Sequence, residues 1–480
     1  MSENKTVEKK GCGNFFTGLV LAALLAAGIF TISKEFLYQF NVEPIYKGPG
    51  VTSTKMLSDY NPFLKGTNGD SKVYILDSGK PGATFVIMGG THPTEPAGLL
   101  AAVMFVENAV VTEGRVIVVP HSNNSGFSTC EPGLGHVPYF HIKTDKGNVR
   151  YFRYGNRGAN PVDQYPDPDM YLHFPSGQNL AADEIRNLDR AHPGNPHGLL
   201  CQQVAYAFNR MCWQENADMI IDHHEAPPEK PLVNAICAHQ KGIDLTSEMG
   251  MELEMDFGIS ERVEISPIPL HGFSHRELGD FTPAIAFLSE VPNPSQGSAR
   301  GVTYEELIMD GNIDQVYANL QKHNLLKVNL VGLKMEERAG RNVAVDMSLA
   351  LNYTKRTADG VKNWYKPAQF DGSKAAGKIA EMYQGVLDKV APNGVMDEAA
   401  AHAQEDLIGN DRPLWIMNMP TYDEIVENGI GHYLRDADAT PEEIAAAKAK
   451  AEKDYEAAKK ALEADDGLTV KDLEDAKKGA

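Results

Sequence analysis

Five short apolar runs, separated by helix-length segments, constrain this chain more than any other feature. They are VYIL (73–76), ATFVIMGG (83–90), RVIVVPH (115–121), ADMIIDHHE (217–225) and AIAFLSE (284–290). Strands that are apolar without alternation have both faces covered, which is the habit of parallel sheet. PAGLLAAVMFVENAV (96–110) and GLLCQQVAYAFNRMCWQE (198–215) supply helices between them. The expected class is therefore α/β, with a central mixed, mostly parallel sheet flanked by helices. Residues 126–197 are rich in Gly, Pro, Asp and aromatics. So long an irregular stretch inside a compact domain is usually functional, and it is expected to wall a pocket.

The N-terminus sets a second constraint. Phe15 to Ile32 carries no charge over 18 residues, about 27 Å of helix against a hydrocarbon core of roughly 30 Å. Lys5, Lys9 and Lys10 precede this run, whereas Lys34 is followed at once by Glu35. That asymmetry keeps the N-terminal flank cytoplasmic and predicts a single-pass membrane protein with its catalytic domain on the periplasmic or extracellular side. A cleaved signal peptide is the alternative, although Ala23 to Gly28 offers no clean cleavage pattern. The expected domains are a tail and transmembrane anchor (1–35), a connector (36–70), a catalytic domain (71–335), a region of unassigned fold (336–436) and a charged helical tail (437–480). The last opens with a capping box at Thr440 and Glu443, with Pro441 in the first turn. Its only large apolar residues are Ile444, Tyr455 and Leu462, which predicts a solvated helix or a weak coiled-coil partner.

Composition excludes some partners. With 45 Lys+Arg against 65 Asp+Glu the net charge is −20, and such a surface repels phosphate backbones, so nucleic acid is not an expected ligand. None of the five cysteines forms a C-x-x-C pair, which argues against a cysteine zinc ribbon. In an exported domain the last four can pair, or can serve as small buried apolar residues. Self-association is left open.

The residues at the end of each strand carry the chemistry, because ligands in open α/β sheets bind beyond the carboxyl ends of the strands. His92 and Glu95 come after the second run, His223, His224 and Glu225 close the fourth, and Glu290 closes the fifth. Gly89 and Gly90 permit the tight backbone that would turn His92 and Glu95 inward. Two His and one Glu around an open fourth position is the ligand set of a catalytic zinc ion. Such an ion acidifies water and polarises a carbonyl, and a nearby carboxylate must accept the proton.

GGTHPTEPAG, NLDRAHPG, MIIDHHEA and FLSEVPNPSQG occur in that order. Together they resemble the zinc carboxypeptidase superfamily, in particular its succinylglutamate desuccinylase/aspartoacylase branch, over roughly residues 70–325. The resemblance implies a zinc-carboxypeptidase-like fold and one zinc ion per chain, held by His92, Glu95 and His224. It also implies Glu290 as the general base that returns its proton to the leaving amine, and Arg190 as the clamp on a substrate carboxylate. Two positions depart from the family: Asp189 stands where Asn is common, and His192 where Phe is. An Asp beside the clamp would repel a carboxylate, which favours a deacylase over a carboxypeptidase.

Other assignments stay open at this point. Arg186 is the candidate oxyanion donor, with Arg157 or Arg153 behind it. His223 is an alternative ligand, Asp222 either orients an imidazole or caps a helix, and Glu225 reads as a solvated acid. Asn123 either contacts substrate or makes an Asx turn. His275, with His271, Ser274 and Arg276, belongs to a loop that either reaches the pocket or holds itself. The expected function is a membrane-anchored zinc amide hydrolase acting on an N-acyl amino acid. A carboxypeptidase acting on short peptides and a catalytically silent binding protein are the alternatives.

Overall fold

A computed structural model describes residues 12–464, apart from 39, 131–135, 298, 299, 301, 313, 315–330 and 359–411. The chain divides into two compact units, residues 1–42 and 43–480. In the first, α1 (Cys12–Tyr38) is a helix of 27 residues. From Phe15 to Tyr38 it is long and apolar enough to cross a membrane, alone in this among the described residues. The lysines that set its expected orientation lie outside the described residues.

The second unit is built on an eight-stranded sheet. Its strands are β1 (Ser53–Met56), β2 (Lys72–Asp77), β3 (Thr84–Met88), β5 (Arg115–Val119), β10 (Met219–Ala226), β11 (Ala235–Ala238), β12 (Arg262–Ile265) and β13 (Ile285–Pro292). They lie in the order β1-β2-β5-β3-β10-β13-β11-β12. The four central strands, β5, β3, β10 and β13, are mutually parallel, and antiparallel pairings occur toward both sides. The result is the mixed, mainly parallel α/β sheet expected from the runs. The smaller pairs are β4 (Val110–Glu113) with β14 (Trp415–Met417), β6 (Tyr139–Lys143) with β7 (Val149–Arg153), and β8 (Tyr171–Leu172) with β9 (Asn179–Leu180).

Because side chains alternate along a strand, each central strand feeds two cores. Phe85, Ile87, Met219, Ile221 and Phe287 pack on one side, with α2 (Pro96–Asn108), α4 (Ile243–Phe257) and α7 (Met335–Ala358). Val86, Met88, Ile220 and Ala286 pack on the other, with α3 (Leu200–Gln214) and α5 (Ser274–Phe281). Helix α2 lies very close to β10, since a Cβ at Gly98 would stand 2.6 Å from the Cβ of His223. Three further helices among the described residues are α6 (Glu305–Asp310), α8 (Tyr422–Asn428) and α9 (Pro441–Glu463).

Two stretches differ from their expected character. Within the stretch read as a connector (36–70), residues 43–70 carry β1 and bury Leu57, Tyr60 and Leu64 in the core. Toward the C-terminus, α7 sits in the main core through Met335, Ala339, Val343 and Leu349. Thr354 Oγ1 exchanges hydrogen bonds with the backbone of Leu414, at 2.8 and 2.9 Å, and β14 pairs with β4. Residues 359–411 of the region of unassigned fold lie outside the described residues. Helix α9 is not solvated all round. Ala451, Tyr455 and Ala458 are buried against Val110, Trp415 and Met417, and the Tyr455 hydroxyl donates to Glu113 at 2.6 Å. The buried stripe is made mostly of alanines, which a count of large apolar residues overlooks.

The described residues contain no disulfide, and Cys201, Cys212 and Cys237 are buried thiols. Burial pushes all three thiols up to about 12. The packing of α9 predicts that Tyr455→Ala destabilises the unit by on the order of 3 kcal/mol. Thermal unfolding by circular dichroism measures this, and an unchanged transition would return α9 to the status of a solvated helix.

Candidate metal centre

The strand pleat decides which histidine can act. In β10, His224 shares the parity of Asp222 and Ile220, and it pairs in register with Glu290 of β13. Residues paired across neighbouring strands project to the same face. His224 and Glu290 therefore stand side by side, both within strands rather than in the loops after them. His223 and Ser289, also paired, point the other way. His223 Nδ1 lies 2.7 Å from Ser289 Oγ, and its Nε2 lies 2.9 Å from Asp346 of α7. This Asp–His–Ser chain has the order of a hydrolase triad, but all three are buried and the serine hydroxyl is donated to Asn342. Both nitrogens of His223 are thus engaged away from the site. Glu225, on the same side, is not solvated: it is buried and paired with Arg338 at 2.6 Å.

His92 and Glu95 arrive from the turn between β3 and α2. Gly90 holds φ at +66°, where a Cβ would stand 2.6 Å from the Phe127 ring. Glu95 N donates to the His92 carbonyl at 2.9 Å, and Pro96 then opens α2. The turn brings both side chains to His224. His92 Nδ1 is 3.0 Å from Glu95 Oε1 and 3.1 Å from His224 Nδ1, and His224 Nδ1 is 3.2 Å from Glu95 Oε2. All three residues are buried.

The outer atoms of this cluster fix its chemistry. Asn187 Oδ1 accepts from the backbone of Asp189 at 3.0 Å while Asn187 Nδ2 donates to Glu184 at 2.6 Å. That orientation makes Oδ1 an acceptor for His92 Nε2, 2.7 Å away, so the Nδ1 of His92 presents a lone pair. His224 Nε2 lies 3.0 Å from Asp222 Oδ2, a charge contact out of hydrogen-bond alignment. Asp222 is in turn held by Thr91 Oγ1 at 2.7 Å. It lies within β10 against an imidazole, and not at a described helix terminus. Glu95 also accepts from the Glu225 backbone at 3.0 Å and from Gln296 Nε2 at 3.2 Å. A buried carboxylate and two imidazole nitrogens facing one another need a cation among them, either a proton or a metal ion. Two nitrogens and one carboxylate oxygen, with outer partners on both imidazoles, suit a zinc-type ion.

The charges are strongly coupled. Burial alone would raise Glu95, but His92 and His224 outweigh it and hold the carboxyl well below its usual range. Burial would lower His224, yet Asp222, Asp189 and Glu95 hold it well above the ordinary imidazole value. Burial pushes Glu290 well above the usual carboxylate range, with Glu95 and Asp189 adding to the shift. Its Oε2 is shielded from solvent and has no hydrogen-bond partner among the described residues.

The other residues singled out in the sequence divide. Arg157, half-exposed, reaches Glu95 Oε1 at 3.3 Å and His92 Nδ1 at 3.5 Å. Arg186 is instead tied to Asp167 at 2.9 Å and to the Ala159 carbonyl, and Arg153 is buried against Glu43 at 2.5 Å. Arg190 stacks on Phe273, 3.8 Å from the ring centre. Asp189 is buried and accepts from the backbone of Ser274 at 3.1 Å, and burial raises its pKa. His192 is fully buried, and burial pulls it down to about 4, so it is a neutral ring where the family has Phe. Asn123 Oδ1 accepts from Gly126 N at 3.2 Å, three residues on, which caps the short 3-10 helix that follows rather than making an Asx turn. His275 is buried in α5 and bonded to Ser266 at 2.7 Å. Sequence reasoning missed Asn187 and Gln296. The only signal was their position inside the RNLDRAHPG and FLSEVPNPSQG stretches.

No protein-family model and no curated protein matches the chain. Solved structures similar to it include a succinylglutamate desuccinylase from Silicibacter sp. TM1040, 16% identical, covering 54% of this chain and 62% of that one, with a TM-score of 0.29. A metallo-carboxypeptidase from Burkholderia cenocepacia is 11% identical, covering 63% of this chain and 65% of that one, with a TM-score of 0.35. An aspartoacylase family protein from Mesorhizobium loti is 15% identical, covering 60% and 73%, with a TM-score of 0.29. The chain spans less than two thirds of the first two. These structures bear the names of the superfamily and branch that the motifs resemble, and the functional reading rests on the side chains.

This geometry has two measurable outcomes. His224→Gln should abolish metal uptake at this centre, whereas His223→Gln should keep it and lose on the order of 3 kcal/mol of stability through its broken pairing with Asp346. Metal analysis and thermal unfolding on both variants check this. Metal must also displace the proton that Asp222 and Asp189 hold on His224. Affinity should therefore rise with pH, by up to about tenfold per unit below the raised imidazole pKa. Calorimetry in buffers of different ionisation enthalpy reads the released proton.

Proposed function

We propose that this chain is a metal-dependent amide hydrolase that removes the acyl group from an N-acyl amino acid or a related small amide. We propose further that α1 anchors it in a membrane with the second unit on the outer side. One observation carries the catalytic reading: His92 Nδ1, His224 Nδ1 and Glu95 face one another within 3.2 Å while the outer nitrogens of both rings are taken up by Asn187 and Asp222. These three residues would hold one zinc ion. When bound, it acidifies a water molecule and polarises the amide carbonyl.

The remaining work falls to the chain's own groups. Glu290 is the proposed general base, because it lies one strand from His224 on the same face and keeps one oxygen without a hydrogen-bond partner. That oxygen takes a proton from water and gives it to the leaving nitrogen. Burial and the neighbouring acids raise its pKa, which strengthens it as a proton acceptor. Arg157 replaces Arg186 as the proposed oxyanion donor, since it already reaches the ligand cluster while Arg186 is committed to Asp167. Arg190, fixed flat on Phe273, is proposed to receive a substrate carboxylate.

Glu290→Gln should keep the metal and lower turnover by about 10²- to 10⁴-fold. Wild-type rates at unchanged metal content would remove Glu290 from the chemistry. The substrate class is tested by offering acylated amino acids and short peptides to the full chain, with and without chelator. Chelator-sensitive cleavage of the acyl amides supports the deacylase, and cleavage of peptides alone supports a carboxypeptidase instead. For the anchor, protease added outside intact cells or spheroplasts should digest the second unit, and full protection would reverse the topology.

A further inference from the structure

A second set of two imidazoles and a carboxylate lies apart from the three ligands. His173 stands in the turn between β8 and β9, His271 precedes α5, and Glu277 lies within α5. His271 Nδ1 is 2.9 Å from Glu277 Oε1, and His173 Nε2 is 4.0 Å from the same oxygen. The two rings are nearly parallel, 5.8 Å apart at 20°. One donor atom from each residue lies within 4.8 Å of the other two. A fourth donor atom, the His192 carbonyl oxygen, is 2.6 Å from His173 Nε2.

We propose that His173, His271 and Glu277 form a second divalent-cation site of the zinc type, structural in role, which locks the loop bearing Asp189 and Arg190. The electrostatic ground is Glu277. It is a buried carboxylate, and among the described residues its ion-pair partners are these two histidines. A carboxylate in such a place needs positive charge beside it. His271, raised above the ordinary imidazole value by its hydrogen bond to Glu277, can share one proton with it, whereas burial pulls His173 down to about 4. A neutral His173 is what a metal ion requires. On binding, the cation takes His173 Nε2 in place of the proton facing the His192 carbonyl, and the neutral ring carries its one proton on Nδ1, toward Ser176 Oγ at 2.7 Å. The His271 side chain is 20% exposed, which leaves an entry from solvent.

The structural role rests on the segments that the cluster holds. Gly272 N donates to Glu277 at 3.0 Å, and His192 N donates to the Gly272 carbonyl at 3.2 Å. The Tyr171 hydroxyl donates to the Arg190 carbonyl at 2.8 Å. A cation here joins three segments, 171–173, 190–192 and 271–277, next to the groups proposed to meet substrate.

The test is a count of zinc. The full chain in detergent is stripped with chelator, reloaded with zinc alone, dialysed and analysed by mass spectrometry for metal. Wild type should hold two ions, His92→Ala one and His271→Ala one. A wild type with one ion that disappears in His92→Ala would overturn the second site and leave the proposed hydrolase standing. Two ions retained in His271→Ala would also overturn it. One ion lost in His271→Ala but kept in His92→Ala would uphold this site and sink the catalytic one. Should His271→Ala fail to fold, cobalt(II) added to His92→Ala decides. Visible absorption of four-coordinate intensity supports the proposal, and none overturns it.

Discussion

The parallel pairing of β10 with β13 is the constraint on which the rest of the site depends. It places His224 beside Glu290 on one face and His223 beside Ser289 on the other. A slip of one residue would exchange the two histidines. The reverse face guards against that slip. There His223 is bonded to Ser289 and Asp346, and Glu225 to Arg338, and each of these partners would lose its bond if the strand moved. The buried polar contacts behind the sheet therefore fix the register that the metal centre needs.

Much of this is legible in the sequence, for identifiable reasons. All five apolar runs became strands because continuous apolar sequence leaves little choice in a covered sheet. His92 and Glu95 came to one side because Gly90 permits a turn that a Cβ would block. Which of two adjacent histidines faces the centre is not legible, since that depends on register with a strand more than sixty residues away. The arginines are harder still. Arg186 and Arg157 both lie in or beside irregular segments, and only the position of Asp167 separates them.

The C-terminal third shows a different limit of sequence reading. Helix α9 buries alanines, and α7 adds the buried polar groups Asp346 and Asn342 to its apolar core contacts. Small residues and buried polar partners both look like solvent-facing sequence, which blurs the hydrophobic pattern.

The pinning of Thr354 to Leu414 has a consequence for how the two ends of this region are kept together. Two points far apart in the chain are held in contact by hydrogen bonds that belong to the folded unit itself. The entropic cost of bringing such points together grows only slowly with the number of residues spanned. A reciprocal pair of bonds on one threonine is therefore enough to tie the end of α7 to the start of β14, and removing that one hydroxyl would unfasten both.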